Sequence, residues 1–191
     1  MSAIRKNEDL LTPEEYIAGE LRSEIRHEYL AGRVYARACS SVEHNHIAGN
    51  FLGELGIHLR GKKCAPFATD MKVRVRNADT ERFYYPDVMV NCDPAGQQRY
   101  FCDTPALIVE VLSPDTQGTD RREKLLAYQG IPSLHTYILA EQEQREITVW
   151  RGSRRAGKRR SSPVPRRCMC RSLSSASRSM PSMRAPGCSS V

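Results

Sequence analysis

The stretches YYPDVMV at residues 84–90 and ALIVEVLS at residues 106–113 decide the fold of this chain. Each is short, rich in β-branched or aromatic residues and bounded by turn residues, which predicts two buried strands. Each carries one acid, Asp87 in the first and Glu110 in the second. Burying a carboxylate in such a strand costs free energy unless a partner offsets its charge. Two carboxylates on neighbouring strands therefore predict a cation between them, and a Mg²⁺ site has this composition, with few protein ligands that are all oxygen atoms.

The sequence around these strands predicts further helices and strands in alternation. Thr12 and Pro13, followed by two glutamates, are typical of a helix start. Apolar residues recur at three and four positions over residues 41–60, which predicts the longest helix. The other predicted elements are a hairpin at 26–37, strands at 64–68, 71–76, 134–140 and 146–150, and a helix at 120–129. This order predicts an α/β or α+β domain with a mixed central β-sheet flanked by helices.

Composition divides the chain into a body and a basic tail. Residues 151–191 hold 11 of the 29 Lys and Arg and no Asp or Glu, so the rest of the chain has 18 basic against 22 acidic residues. The net charge of +7 is therefore weak evidence for a nucleic-acid-binding surface on the folded body. We predict one domain over residues 1–152 and a disordered Arg/Ser/Pro-rich tail over residues 153–191. An out-of-frame translation of a GC-rich gene would explain the tail, and a basic arm that contacts phosphates is the functional alternative.

Hydropathy and cysteine spacing exclude some classes of protein. The mean hydropathy is −0.54, and no run approaches the roughly 20 apolar residues that a membrane span needs. The first 20 residues are charged and polar, which does not fit a signal peptide, so we expect a cytoplasmic protein with no membrane association. The seven cysteines form no CxxC pair. This spacing favours reduced thiols in the body over a zinc site.

Three residues carry the predicted chemistry. Glu110 lies in the middle of an apolar strand, where the alternative is a structural pair with an arginine. Asp87 follows Pro86, which belongs at a strand start or edge, and the alternative is a turn or capping role. Lys124 lies on the helix directly after the Glu110 strand and shares a face with Asp120 and Tyr128. It is placed to orient an attacking water or to hold a phosphate as a point charge, whereas a solvated charged face is the default reading.

Several other residues are candidates for the same site. The Val111 carbonyl offers one more oxygen ligand, and either Glu28 or Asp70 would complete the metal shell, with a structural role equally open for both acids. Lys72, Arg74 and Arg76 alternate along a predicted strand, where they either line a phosphate path or face solvent. His44 and His46 are two residues apart and face different ways on a helix, so we interpret them as surface or packing residues.

Five stretches together match a known family. They are RHEYLAGRVYARA (26–38), SVEHNHIAGNFLGEL (41–55), FYYPDVMVNC (83–92), PALIVEVLSPDTQGTDRREKLLAYQGIPSLHTYIL (105–139) and EITVWRG (146–152). With this pattern the chain resembles the Uma2 family of endonucleases, within the restriction-endonuclease-like PD-(D/E)XK superfamily. The resemblance implies a mixed sheet flanked by helices that binds Mg²⁺, with Mn²⁺ as an alternative, and hydrolyses phosphodiester bonds.

The resemblance also assigns residues. Asp87 matches the first acid of the motif, Glu110 the second, and Glu28 a recurring acid of the first strand region, while Asp70 matches a less regular acid. The superfamily lysine normally follows the second acid by two residues, where this chain has Leu112, so the role passes to Lys124 on the next helix. The family continues past Trp150 with strand residues that this chain does not match, which predicts an exposed sheet edge and poor solubility.

The function predicted from these residues is a Mg²⁺-dependent DNA endonuclease, and a homodimer would supply the two sites that cutting both strands needs. Three alternatives stay open at this point. The first is a catalytically inactive nuclease-like module that binds nucleic acid or protein. The second is a nuclease for RNA or branched DNA, since the sequence holds no code for the substrate. The third is a non-enzymatic scaffold.

Overall fold

The computed structural model describes residues 10–37, 39–68, 70–113, 120–152 and 166–169, and at positions 120, 121 and 166–169 it describes the backbone alone. The helices are α1 (Pro13–Glu20), α2 (Val42–Leu59) and α3 (Leu125–Gln129), with a 3₁₀ turn at Pro94–Gly96 and a π-helical turn at Asp120–Lys124 that leads into α3. The strands are β1 (His27–Leu30), β2 (Arg33–Ala36), β3 (Ala65–Ala68), β4 (Lys72–Arg76), β5 (Glu81–Tyr84), β6 (Val88–Asn91), β7 (Phe101–Cys102), β8 (Pro105–Leu112), β9 (Thr136–Glu141), β10 (Glu146–Arg151) and β11 (Arg166–Met169).

These strands form two mixed sheets. One sheet has the order β2-β1-β5-β4-β7 and the other the order β11-β10-β9-β8-β6-β3. The β4–β7 and β8–β9 pairs are parallel, and the other pairs are antiparallel. The α+β class and the mixed pairing are thus confirmed, although the strands divide between two sheets instead of forming one central sheet.

Pro86 is the reason that one predicted strand becomes two. Tyr84 ends β5 in the five-stranded sheet, and Val88 begins β6 in the six-stranded sheet. Proline has a fixed φ and no amide hydrogen, so it interrupts the hydrogen-bond ladder of a strand. Asp87 therefore lies where the chain crosses from one sheet to the other, next to both.

Apolar side chains build the core in three places. The largest cluster lies between the two sheets and α3, with residues such as Val73 and Tyr84 on one side and Ile108 and Leu139 on the other. The alternate residues of β6 and β8 face α2 instead, where Ala48, Phe51 and Leu55 cover them. A small aromatic cluster joins α1 to the five-stranded sheet; its members are Tyr16, Tyr29 and Phe83.

The caps of α1 and α2 follow from their sequences. Thr12 accepts a hydrogen bond from the Glu15 amide, and the Glu15 side chain accepts one from the Thr12 amide, which is a complete capping box. Ser41 caps α2 through the amide of His44. Because this cap fixes the first turn of α2, it also fixes where the His44 side chain points.

The strand β11 lies inside the predicted tail. It pairs with β10 through a register that runs from Glu146↔Met169 to Val149↔Arg166. At these four residues the structure differs from the predicted disorder, and β10 is not the exposed edge that the sequence led us to expect. Backbone groups along the edge of β10 offer hydrogen bonds to any neighbouring strand, whatever its side chains. The rest of the predicted tail lies outside the described residues, so the domain boundary at residue 152 stays a prediction.

A disulfide joins the start of β3 to the end of β6. Cys64 and Cys92 flank the paired residues Ala65 and Asn91, and their sulfur atoms are bonded. The expectation that the body cysteines are reduced is therefore wrong for this pair, because antiparallel pairing brings together two residues 28 positions apart. Among the described helices, none combines the length and the apolar character of a membrane span.

Candidate active site

The two predicted acids are both buried, one just before β6 and one within β8. Val88 of β6 pairs with Val109 of β8, and Asp87 directly precedes β6. The amide of Val111, the residue after Glu110, donates to Asp87 Oδ2 at 2.8 Å. The side chains of Asp87 and Glu110 are only 3% exposed. The structure thus buries both acids that the sequence singled out and joins Asp87 to the residue next to Glu110.

Three donors surround the carboxylate of Asp87. Arg37, at the end of the β1–β2 hairpin, donates from Nη2 to Oδ1 at 3.2 Å. His44 Nε2 lies 3.2 Å from Oδ2, and the Val111 amide donates to the same oxygen at 2.8 Å. Arg37 follows β2, His44 lies in α2 and Val111 lies in β8, so the three donors are held by different elements. The carboxylate is therefore fixed in one orientation.

Burial and hydrogen bonding act in opposite directions on the pKa values of Asp87 and His44. Burial alone would raise the pKa of Asp87, but the hydrogen bond and charge of His44, the Val111 amide and the charge of Arg37 together lower it below its ordinary value. The hydrogen bond to Asp87 raises the pKa of His44, and this effect outweighs the burial of the imidazole. The arrangement therefore favours an ionised Asp87 beside a protonated His44.

The other half of the site is a network around Lys124. Its Nζ lies 3.1 Å from Glu28 Oε1 and 3.4 Å from Glu110 Oε1. Tyr128, one helical turn later, donates to Glu110 Oε1 at 3.0 Å, and the Tyr85 amide donates to Glu28 Oε1 at 3.2 Å. The predicted proximity of Glu28, Glu110 and Lys124 is therefore present. Lys124 is 6% exposed, so its ammonium is part of the buried site and not of a solvated face.

Asp70 lies apart from this site. Its carboxylate accepts a hydrogen bond from Arg26 Nε at 3.1 Å, and its side chain is 76% exposed. Among the described residues, no group of three or more His, Cys, Asp or Glu side chains is arranged to hold a metal ion. The structure therefore gives no support to Asp70 as a partner of the acid pair, because its turn before β4 points it to solvent.

The three basic residues of β4 have different surroundings. Arg74 makes a double hydrogen bond to Asp103 at 2.6 and 2.7 Å, and Arg76 pairs with Glu81 at 2.6 Å. Lys72 is 4% exposed and lies 4.9 Å from the centre of the Tyr85 ring. Burial lowers its pKa. Arg74 and Arg76 are paired with acids and Lys72 is buried, so the three fit neither a row of cations along a phosphate path nor a uniformly solvent-facing strand.

Sequence reasoning missed two members of the site, Arg37 and His44. His44 was interpreted as a surface or packing residue, yet it is 7% exposed and contacts Asp87. The sequence could have indicated that His44 is buried against the sheet, since His44 lies one turn before Ala48 on the apolar face of α2. No local pattern marks Arg37, which is 50 residues from its partner.

The donor set suits a hard divalent cation. The Asp87 carboxylate, just before β6, and the Glu110 carboxylate and Val111 carbonyl, both in β8, are all oxygen donors. Mg²⁺ is usually held by one or two carboxylates, with water and substrate phosphate completing its shell, so two acids are enough. These residues fit such an ion in number and type.

Comparisons with known proteins identify the family of the chain. The family model of Uma2, described as "Putative restriction endonuclease", matches residues 13–172. The uncharacterized protein slr1290 of Synechocystis sp. is 36% identical over 141 residues, which are 73% of each chain. The uncharacterized protein sll1609 of the same organism is 30% identical over 136 residues, which are 70% of this chain and 76% of that protein.

A solved structure shares the fold. It is described as that of "a putative nuclease belonging to DUF820" from Anabaena variabilis, and it matches with a TM-score of 0.59 at 17% identity. The match covers 74% of this chain and 79% of that one. The chain therefore has a nuclease-like fold. The family match also reaches 20 residues beyond the last stretch quoted above, across β11.

Proposed function

The chain belongs to the Uma2 family, and from this membership and its buried acid pair we propose that it is a divalent-metal-dependent endonuclease that hydrolyses phosphodiester bonds in DNA. The observation that carries the proposal is that two buried carboxylates lie next to Val111 of β8: Asp87 accepts the Val111 amide, and Glu110 precedes Val111 in the strand. Two buried carboxylates there are costly unless cations offset them, and each has a cationic partner. Such a cluster of buried ionisable groups is typical of a functional site.

Asp87, Glu110 and the Val111 carbonyl would hold the metal, Mg²⁺ or Mn²⁺. When bound, the ion would lower the pKa of a water and offset negative charge on the phosphate. Asp70 was the fourth ligand predicted from sequence. Its exposed position beside Arg26 supports a role other than binding the metal ion.

The protein's own groups act through orientation and charge. Lys124 holds Glu28 and Glu110 in fixed positions and adds a positive charge next to the acid pair, where it would stabilise the charge that develops on the phosphate. Tyr128 supports the same Glu110 oxygen from the next helical turn. His44 holds Asp87 ionised and oriented through Oδ2. The acid pair is thereby prepared before a substrate arrives.

Supercoiled plasmid tests the proposal directly. The full chain should nick or linearise plasmid DNA with Mg²⁺ and lose this activity with EDTA. Glu110→Gln should be inactive, whereas Asp70→Asn, a matched change of an exposed acid, should keep full activity. DNA that is bound but never cut under any divalent cation would instead favour a catalytically inactive binding module. A single-stranded RNA and a branched DNA tested in parallel would decide the substrate.

Oligomeric state and location are further proposals. Cutting both strands needs two sites, which a homodimer would supply, and the linear plasmid product should then appear without a free nicked intermediate. A cytoplasmic location stays a prediction from sequence. The Cys64–Cys92 disulfide is more typical of an oxidising compartment. Mass spectrometry of rapidly alkylated cells would show whether the bond exists there.

A further inference from the structure

Arg37 is the most accessible cation that contacts the acid pair. Its side chain is 23% exposed, compared with 9% for His44 and 8% for Lys124. Among the described residues, its guanidinium makes one hydrogen bond, from Nη2 to Asp87 Oδ1, and it also lies 5.6 Å from the centre of the Tyr85 ring. A guanidinium has five N–H donors in a planar fork that matches a phosphate. Most of its donor capacity is thus not used by Asp87.

A metal ion and Arg37 compete for the same carboxylate. Asp87 Oδ2 already accepts from the Val111 amide and contacts His44, whereas Oδ1 has Arg37 as its single partner among the described residues. A divalent ion on Oδ1 would be close to the Arg37 charge and would be repelled by it. Either the ion binds weakly or Arg37 moves away when the ion arrives.

We propose that Arg37 is an exchangeable counter-cation: it pairs with Asp87 in the ligand-free site, and it transfers to a phosphate of the DNA when a divalent cation takes the carboxylate. This inference rests on the proposed function and adds a phosphate-binding residue to it. Tyr85 keeps the guanidinium beside the site during the exchange, through the contact between its ring and the Arg37 charge. Asp87 and Arg37 then each have a partner of opposite charge, both in the ligand-free site and with the divalent cation and DNA bound.

If the exchange occurs, replacing Arg37 should strengthen Mg²⁺ binding and weaken DNA binding. In Arg37→Gln the competitor of the metal is gone, so calorimetry on the full chain should show tighter Mg²⁺ binding, by at least about fivefold. Binding of a fluorescent DNA duplex should weaken by a similar factor in Ca²⁺, which replaces Mg²⁺ to keep the duplex uncut. In EDTA, where Arg37 stays on Asp87, the same substitution should change DNA binding little. A purely structural role would weaken both ligands under all conditions.

Two further variants complete the test. Arg26→Gln removes an exposed pair with Asp70 and should change neither affinity. If Arg37→Gln does not fold, Arg37→Lys keeps the charge and should keep the parent Mg²⁺ affinity within about twofold while losing part of the DNA affinity, because lysine lacks the planar fork.

The outcomes separate the two proposals. Absence of both Mg²⁺ and Mn²⁺ binding in the unchanged, folded chain would refute the proposed function and the exchange with it. Mg²⁺ binding in the unchanged chain, together with unaltered or weaker binding in Arg37→Gln, would refute the exchange alone. Tighter Mg²⁺ binding with DNA affinity unaffected by the cation would also refute it, since Arg37 would then not reach the phosphate.

Discussion

Glu20 and Asp87 are both buried carboxylates with three donors, but the donors differ in kind. Glu20, at the end of α1, is 5% exposed. It accepts hydrogen bonds from the His27 amide at 2.8 Å and the Tyr85 hydroxyl at 2.9 Å, and its second oxygen lies 3.1 Å from His27 Nδ1. Asp87 has one amide and two basic side chains instead, Arg37 and His44.

The two carboxylates differ in whether a donor can leave the carboxylate for another partner. Donors such as an amide and a phenol satisfy a carboxylate permanently, because they have no other strong partner to move to. An arginine with unused donors can leave when a stronger cation arrives, as long as it finds another anion. Tyr85 joins the two regions, since its hydroxyl contacts Glu20, its ring lies near Arg37 and its amide contacts Glu28. A buried acid with exchangeable cations is thus a better marker of function than burial alone.

The largest expected effect is on the rate of DNA cleavage, which should depend on Glu110 of the candidate site and not on Glu20. Glu110→Gln should lower DNA cleavage roughly a thousandfold or more, in the range of other catalytic-residue losses. Glu20→Gln should leave kcat nearly unchanged in the folded protein. Initial rates of plasmid nicking, with folding checked by circular dichroism, measure both. A folded Glu20→Gln with no activity would remove the distinction between the regions.

The second effect is on stability. Lys124→Met leaves Glu28 and Glu110 without their shared cation, and removing one partner of a buried ion pair costs about 3–5 kcal/mol. Arg76→Met breaks the more exposed pair with Glu81 and should cost less than about 1 kcal/mol. Urea unfolding gives both free energies. Equal costs would mean that Lys124 is not the charge that balances the buried acids.

A smaller loss is expected for Glu20→Gln, about 1–3 kcal/mol, because the new amide group faces donors such as the His27 amide. Tyr85→Phe, which removes one donor and leaves the acid, should cost about 1 kcal/mol. Urea unfolding at pH 7 measures the two side by side. A loss larger in Tyr85→Phe than in Glu20→Gln would contradict the view that Glu20 organises this region.

The smallest effect is a gain. Lys72→Met should raise the free energy of unfolding by about 1 kcal/mol at pH 7, since burial lowers the pKa of this lysine and its charge is unfavourable in the folded state. The unfolded chain binds the proton more tightly, so the parent gains stability as pH rises through the lowered pKa towards the ordinary 10.5. The advantage of Lys72→Met should therefore disappear in alkaline solution. Urea titrations at pH 7 and pH 10.5 test the sign, and an advantage that grows with pH would contradict it.

Local patterns predicted most of the elements and singled out Asp87, Glu110 and Lys124, which the structure buries. The β-branched runs predicted β6 and β8, and the apolar period with Ser41 predicted α2, because these signals lie within a few residues of each other. Glu110 was found because an acid in an apolar strand is anomalous by itself. Lys124 was found because it follows that strand directly.

The remaining features depend on contacts between distant residues. Arg37 and Asp87 are 50 positions apart, and Cys64 and Cys92 are 28 apart, so only the sheet pairing shows that they meet. Asp70 looked equivalent to Glu28 in sequence. The turn before β4 sends it to solvent, and the β1–β5 pairing brings Glu28 next to Lys124. The sequence predicted that Pro86 lies at a strand start or edge. It did not predict that the chain passes from one sheet to another at this residue.

The strand β2 has a practical consequence at the bench. Among the described strands it pairs with β1 alone, and all four of its residues are exposed, with Tyr35 at 52%. An open edge of this kind recruits strands from other molecules. Scattering from the purified protein should therefore increase with concentration, and Val34→Lys should suppress this increase because a lysine on the edge opposes pairing. Val34→Lys would then be the preferred background for calorimetry, which requires concentrated protein.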